Sequence, residues 1–226
     1  MNTDSWKDLF AAAMQQIKQS GLPPSMWTFG GGTVLMHKFN HRFSKDIDIF
    51  FSDKQLLGYV SPRTHDVLED RVIKYIEQDN FTKIYLKEGE IDFILSPRIS
   101  RCKQVQAVIE GEKIFLDHPV EIIAKKIEHR ASEFKARDVF DLAIVYSQMK
   151  TTMLENLDIL KEQLICLKNR VCDLHESNIL ESQLQEIGRL PTGEKIRGTE
   201  FELFKNFVCA MEKQIDSKQK CIGFER

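Results

Sequence analysis

Hydrophobic and polar positions change their period several times along this chain, and each change marks an element. From Asp4 to Gln19 the apolar residues recur at helical spacing, and Gly21 with the Pro23-Pro24 pair ends the run. "SMWTF" has the look of a short strand running into Gly30, Gly31 and Gly32. "TVLMHKF" returns to helical spacing, with Val34, Leu35 and Phe39 among its apolar positions. "KDIDIFFS" alternates charged and apolar residues, the period of a strand with two unlike faces. Residues 63–78, "RTHDVLEDRVIKYIEQ", suit a helix. "FTKIYLKEGEIDFILS" predicts two strands joined by a tight turn near Glu88 and Gly89, and "QVQAVIEGEKIFL" a hairpin turning at Gly111.

Beyond Asp117 the pattern becomes helical. "HPVEIIAKKIEHRASEF" places a proline near a helix N-terminus and keeps the 3.6 period, which "ARDVFDLAIVYSQM" repeats. Residues 151–186 and 199–215 read as helical too, parted by the breakers in "GRLPTGEKIRG". An α+β chain is therefore expected, with a mixed α/β core over residues 1–116. The helical region, residues 117–226, is expected to complete an active-site cleft. No Gly/Ser/Pro-rich spacer divides the halves, which predicts a packed seam rather than a flexible linker.

Composition narrows the class. The 226 residues are 42% hydrophobic and 29% charged, enough to bury a core, and the net charge of −2 argues against a uniformly basic nucleic-acid coat. No apolar run approaches the ~18 residues of a membrane span, and the N-terminus lacks a secretory layout, so a cytoplasmic protein with no membrane partner is expected. Cys102, Cys166, Cys172, Cys209 and Cys221 form no CxxC pair and are odd in number, as incidental thiols in a reducing compartment would be.

The chemistry lies in three acids and a glycine turn. A strand, a glycine turn and a helix in that order turn backbone N–H groups toward a concavity suited to phosphate, although glycine turns also serve structure alone. Asp46 and Asp48, one residue apart in a strand, leave the same face, while Ile47 and Ile49 point into the core. Two such carboxylates repel, and a divalent cation relieves them; a solvent-facing acidic edge is the other reading. Asp92, between Ile91 and Phe93, is costly in a buried strand unless it is paired or metal-bound. If its strand neighbours "DIDIF", the three carboxylates form the layout of a two-metal phosphoryl-transfer site. His37 and His41 have a zinc-compatible spacing, but no other His/Cys cluster completes such a site. The basic residues of "SPRISRCKQ" suit either an RNA backbone or a solvated loop.

At this point the residues resemble a nucleotidyltransferase of the DNA polymerase β superfamily and, more narrowly, the AbiEii/AbiGii type IV toxin family. The resemblance rests on "GGGTVLMHKFNHRFSKDIDIFF" and on "HPVEIIAKKIEHRASEFKARDVFDLA", with Asp92 between them. It implies that Asp46 and Asp48 are catalytic metal ligands for Mg²⁺ or Mn²⁺, and Asp92, by the strand reading above, is the third. It implies that Gly31, Gly32 and Thr33 surround the triphosphate of an NTP, with Arg42 and Ser44 touching phosphate or fixing the loop. Lys126 would bind the triphosphate with Arg130 on the same helical face, and Asp138 would act as a base or orient Lys126. Taken alone these residues have plainer readings. Lys125 suits a surface pair with Glu121, Lys126 and Arg130 a solvated basic stripe, Asp138 the dipole of its helix, and Asp141 a pair with Arg137. The resemblance further implies a toxin with a cognate antitoxin, acting on the 3′ end of tRNA or another nucleic acid acceptor. Transfer to a small molecule or a protein side chain, and a catalytically silent binding module, are the alternatives.

Overall fold

The computed structural model describes residues 5–223, with side chains for residues 6–217; Asp4 of the first predicted helix and the Cys221 thiol lie outside these. Helix α1 (Ser5–Gln19) turns one stripe inward, burying Trp6, Leu9, Phe10, Ala13, Met14 and Ile17 at i, i+3, i+4 spacing. That stripe lies on the apolar face of a sheet, where Phe10 meets Phe29 with ring centroids 5.3 Å apart.

Strand β1 (Trp27–Gly30) runs directly into helix α2 (Gly31–Phe39), which ends at Asn40 in the left-handed conformation. Strands β2 (Ile47–Phe51), β3 (Val72–Gln78), β4 (Phe81–Leu86), β5 (Glu90–Leu95), β6 (Val105–Ile109) and β7 (Glu112–Leu116) complete a mixed seven-stranded sheet of order β3-β4-β5-β2-β1-β7-β6. The β2/β5 and β1/β7 pairs are parallel and the others antiparallel. The β6–β7 hairpin turns on Glu110 and Gly111, both at positive φ (45° and 83°), the geometry that matches strand twist.

The helix expected over residues 63–78 does not form. A short 3₁₀ turn occupies Asp66–Leu68, and Val72–Gln78 is strand β3. As the sheet's edge strand it leaves Ile73, Lys74, Tyr75 and Ile76 exposed, so burial imposes no clean alternation on its sequence. Its conformation is decided by pairing with β4 across the turn Asp79–Asn80.

The chain divides into two compact units, Met1–Arg98 with Lys103–His118, and Ile99–Cys102 with Pro119–Arg226. The second holds helices α3 (Pro119–Arg130), α4 (Ala136–Asn156), α5 (Lys161–Glu176), α6 (Ile179–Glu186), α7 (Pro191–Glu194) and α8 (Glu200–Gly223). Residues 151–186 are thus the end of α4, then α5 and α6. Helix α4 supplies much of this unit's core, burying Val139, Phe140, Leu142, Ala143, Ile144 and Val145. Tyr146 meets Phe207 of α8 edge-on at 5.7 Å. Arg189 lies 4.7 Å over the Phe140 ring and pairs with buried Glu200 at 2.5 Å.

Phe10→Ala removes a ring that is 1% exposed and is expected to cost about 3–5 kcal/mol of stability. Chemical denaturation reads this directly, and a loss below about 1 kcal/mol would contradict the packing of α1 on the sheet.

Candidate active site

The glycine turn is shaped by what lies over it. Gly31 has φ +70°, and a Cβ there would stand 1.8 Å from the Asp48 carboxylate oxygen, so both its backbone and its lack of a side chain are required. A Cβ on Gly32 would meet the Arg42 guanidinium at 2.6 Å and the Ser44 hydroxyl at 2.7 Å. Arg42, only 7% exposed, donates to the Phe43 carbonyl at 3.1 Å. The Thr33 hydroxyl donates to the Asp46 carbonyl at 2.6 Å and lies 3.3 Å from the Ser44 hydroxyl. The first turn of α2, whose amides lack intrahelical partners, is therefore bordered by one carboxylate, one guanidinium and two hydroxyls.

The carboxylates come from neighbouring strands. Asp48 stands opposite Gly30 of β1 on one side and opposite Asp92 of β5 on the other, and Asp92 is opposite Lys83 of β4. One level of the sheet thus reads Lys83, Asp92, Asp48, Gly30. The intervening positions Ile84, Ile91, Phe93, Ile47 and Ile49 are fully buried on the other face. Lys83 Nζ lies 3.0 Å from Asp92 Oδ2 and 2.8 Å from Glu90 Oε2, while Asp92 Oδ1 has no hydrogen-bond partner. Burial, and next the charge of Asp48, push the Asp92 pKa from 3.8 up to about 6. Burial opposes the Lys83 ammonium, yet its hydrogen bond to Glu90 and the charge of Asp92 outweigh that and raise its pKa.

Asp46 extends toward the β4–β5 turn, where its Oδ1 accepts from the Glu90 amide at 3.4 Å. Among the described residues no three His, Cys, Asp or Glu side chains form a ready metal-holding group. The donor set nevertheless suits a hard divalent cation: two carboxylates in register, one oxygen of Asp92 without a partner, and a third acid two residues before Asp48.

In the second unit the adjacent lysines part ways. Lys126 Nζ lies 2.5 Å from Asp138 and 2.8 Å from Asp141, and the three side chains are almost wholly buried. Arg130, one turn further, reaches Asp138 at 3.6 Å. Burial raises the Asp138 pKa, but the charges of Lys126 and Arg130 outweigh it and hold it below the ordinary carboxylate range. Lys125 faces Glu121 at 3.9 Å, and Glu121 accepts from the amides of Ile99 and Ser100 at 2.9 and 2.7 Å.

Several plain readings of the sequence are thereby corrected. Lys125 and Glu121 are not surface decoration, since they are 4% and 2% exposed. Lys126 is not part of a solvated stripe, and Asp141 pairs with Lys126, not merely with its own helix. In "SPRISRCKQ", Arg101 is tied to Asp158 at 2.6 Å. His37 is exposed whereas His41 is buried, and α2 ends between them.

Sequence reasoning passed over Lys83, Glu90 and Asp117. The Asp117 carboxylate would meet a Cβ on Gly30 at 2.7 Å. Only strand order gives these groups their neighbours, Asp92 for Lys83 and Gly30 for Asp117.

A mixed sheet carrying a glycine turn under paired strand carboxylates is the layout expected of a nucleotidyltransferase. The chain belongs to the family described as nucleotidyl transferase AbiEii toxin of type IV TA systems, whose model matches residues 12–191. No curated protein matches its sequence. Among solved structures, the antibiotic-resistance factor ANT(2″)-Ia is 15% identical with a TM-score of 0.46, over 82% of this chain and 100% of that one. JHP933 from Helicobacter pylori is 19% identical with a TM-score of 0.46, over 99% and 98%. MenT4, a nucleotidyltransferase toxin from Mycobacterium tuberculosis H37Rv, is 14% identical with a TM-score of 0.41, over 72% and 70%. These likenesses are distant, and membership of the family rests on the sequence match. No helix among the described residues is long and apolar enough to cross a membrane.

The raised pKa of Asp92 has a measurable sign. A carboxyl that holds its proton more tightly when folded lends stability that is fully present below pH 3.8 and lost as pH rises through about 6. Asp92→Asn escapes that loss. In metal-free buffer it is expected to exceed the wild type by on the order of 2–3 kcal/mol at pH 8, with no gain near pH 4; a pH-independent difference in melting would refute the assignment. Lys126→Ala leaves two buried carboxylates facing each other and is expected to cost about 3–5 kcal/mol in urea unfolding. It is therefore a poor choice as a folded, inactive control.

Proposed function

We propose that this enzyme moves a nucleoside monophosphate from an NTP onto a hydroxyl, and that the acceptor is the 3′ end of tRNA. The acceptor oxygen attacks the α-phosphorus, the new O–P bond forms as the α–β bridge breaks, and pyrophosphate leaves. The observation that carries this reading is the Asp48 carboxylate seated over Gly31 and in register with Asp92. It sets the acids beside backbone amides suited to a triphosphate.

Gly31, Gly32 and Thr33 hold the phosphates at the start of α2, and Arg42 and Ser44 border them from above Gly32. Asp46, Asp48 and Asp92 hold a divalent cation, Mg²⁺ or Mn²⁺, which supplies Lewis-acid charge at the phosphate oxygens. Asp92, with one carboxylate oxygen that has no hydrogen-bond partner, is the group placed to accept the hydroxyl proton. Asp138 is poorly suited to that task, since its pKa is held low. It orients Lys126 instead, together with Asp141, and the family resemblance assigns Lys126 and Arg130 to the nucleotide. The same resemblance makes the protein the toxic member of a pair whose antitoxin restrains it.

The test uses purified protein, Mg²⁺ and each α-labelled NTP in turn, with total tRNA or with cell lysate. Label on tRNA that is lost in Asp48→Asn is expected, with at least a 100-fold fall in rate. Label on lysate protein or on a small molecule would replace the acceptor, and no transfer with any NTP would overturn the reading.

A further inference from the structure

Lys83 has no part in the proposed chemistry, yet it shares one level of the sheet with Asp92 and Asp48. Its ammonium sits between Glu90 Oε2 and Asp92 Oδ2, at 2.8 and 3.0 Å, and Asp92 stands in register with Asp48. Glu90 and Asp92 are two apart on β5 and share a face, so Lys83 bridges two carboxylates while a third lies one strand further on. The oxygen it holds belongs to a carboxylate whose other oxygen has no partner.

We infer that Lys83 is a displaceable counter-cation that stands in for the divalent cation on Asp92 and thereby weakens and gates its binding. This rests on the metal-ligand reading of Asp48 and Asp92. Two like charges on adjacent strands at one level repel, and the metal-free sheet offsets this with a single ammonium. A divalent cation held by Asp48 and Asp92 would repel that ammonium and compete with it for the Asp92 carboxylate. Glu90 gives the displaced side chain a second seat, so Lys83 can leave Asp92 without losing every partner. The same exchange makes cation affinity low until a nucleotide adds its own negative oxygens.

The role is one of positioning and affinity, and it separates from simple structural support. Mn²⁺ binding without nucleotide, followed by electron paramagnetic resonance, is compared for wild type, Lys83→Met, Lys83→Arg and Asp48→Asn. Melting of each is measured in EDTA and in Mn²⁺. Lys83→Met is expected to bind Mn²⁺ at least about five-fold more tightly, the effect of removing one nearby positive charge. It is also expected to melt lower than wild type in EDTA, with the gap closed in Mn²⁺, while Lys83→Arg stays near wild type. Equal or weaker Mn²⁺ binding in Lys83→Met, or a melting deficit unaltered by Mn²⁺, overturns the inference; if Asp48→Asn still abolishes binding, the metal reading survives. Mn²⁺ binding that persists unchanged in Asp48→Asn sinks that reading and this inference together.

Discussion

Two aspartates side by side on neighbouring parallel strands are an arrangement that a sheet normally avoids, and the first unit is organised around tolerating it. Asp48 and Asp92 share one level of β2 and β5. Their opposite faces, Ile47, Ile49, Ile91 and Phe93, are fully buried, so neither strand can slip by one residue without turning an aspartate into the core. The repulsion is thus locked in by hydrophobic register. It is relieved on one side by Lys83 and accommodated on the other by a glycine whose missing side chain leaves room for the Asp48 carboxylate.

The buried charges of the second unit follow the opposite logic. Lys126 lies between Asp138 and Asp141, with Arg130 beside them, and the attraction of opposite charges holds the Asp138 pKa down where burial, and next the like charge of Asp48, drives the Asp92 pKa up. Environments that push carboxylates apart in this way separate a proton acceptor from a permanent anion. The cost of desolvating an ammonium is offset because two carboxylates meet it at 2.5 and 2.8 Å.

Much of this was legible along the chain because it is local. The i, i+3, i+4 stripe of α1, the turn at Gly111, the glycines before α2 and the alternation of "DIDIF" depend on residues a few positions apart. Asp92 announced itself as an acid between Ile91 and Phe93. Strand β3 did not, since an edge strand exposed on most of its length owes its conformation to the neighbour it pairs with. Lys83 and Asp117 were equally silent, for each acquires meaning only from a strand far away in sequence. Arg130 one turn on singled out Lys126 over Lys125 in the sequence, but the partners of the two lysines, Asp138 with Asp141 for one and Glu121 for the other, came only from packing.

The sequence by itself determined which residues carry charge into apolar runs, where the backbone must turn on glycine, and that a mixed α/β stretch precedes helices, because propensity and periodicity act over one or two turns of chain. Tertiary structure alone decided that β2 lies beside β5, that Asp92 faces Asp48 on one side and Lys83 on the other, and that Lys126 is enclosed by acids. Those facts depend on strand order and helix packing, which bring together groups tens of residues apart and set the charges each one feels.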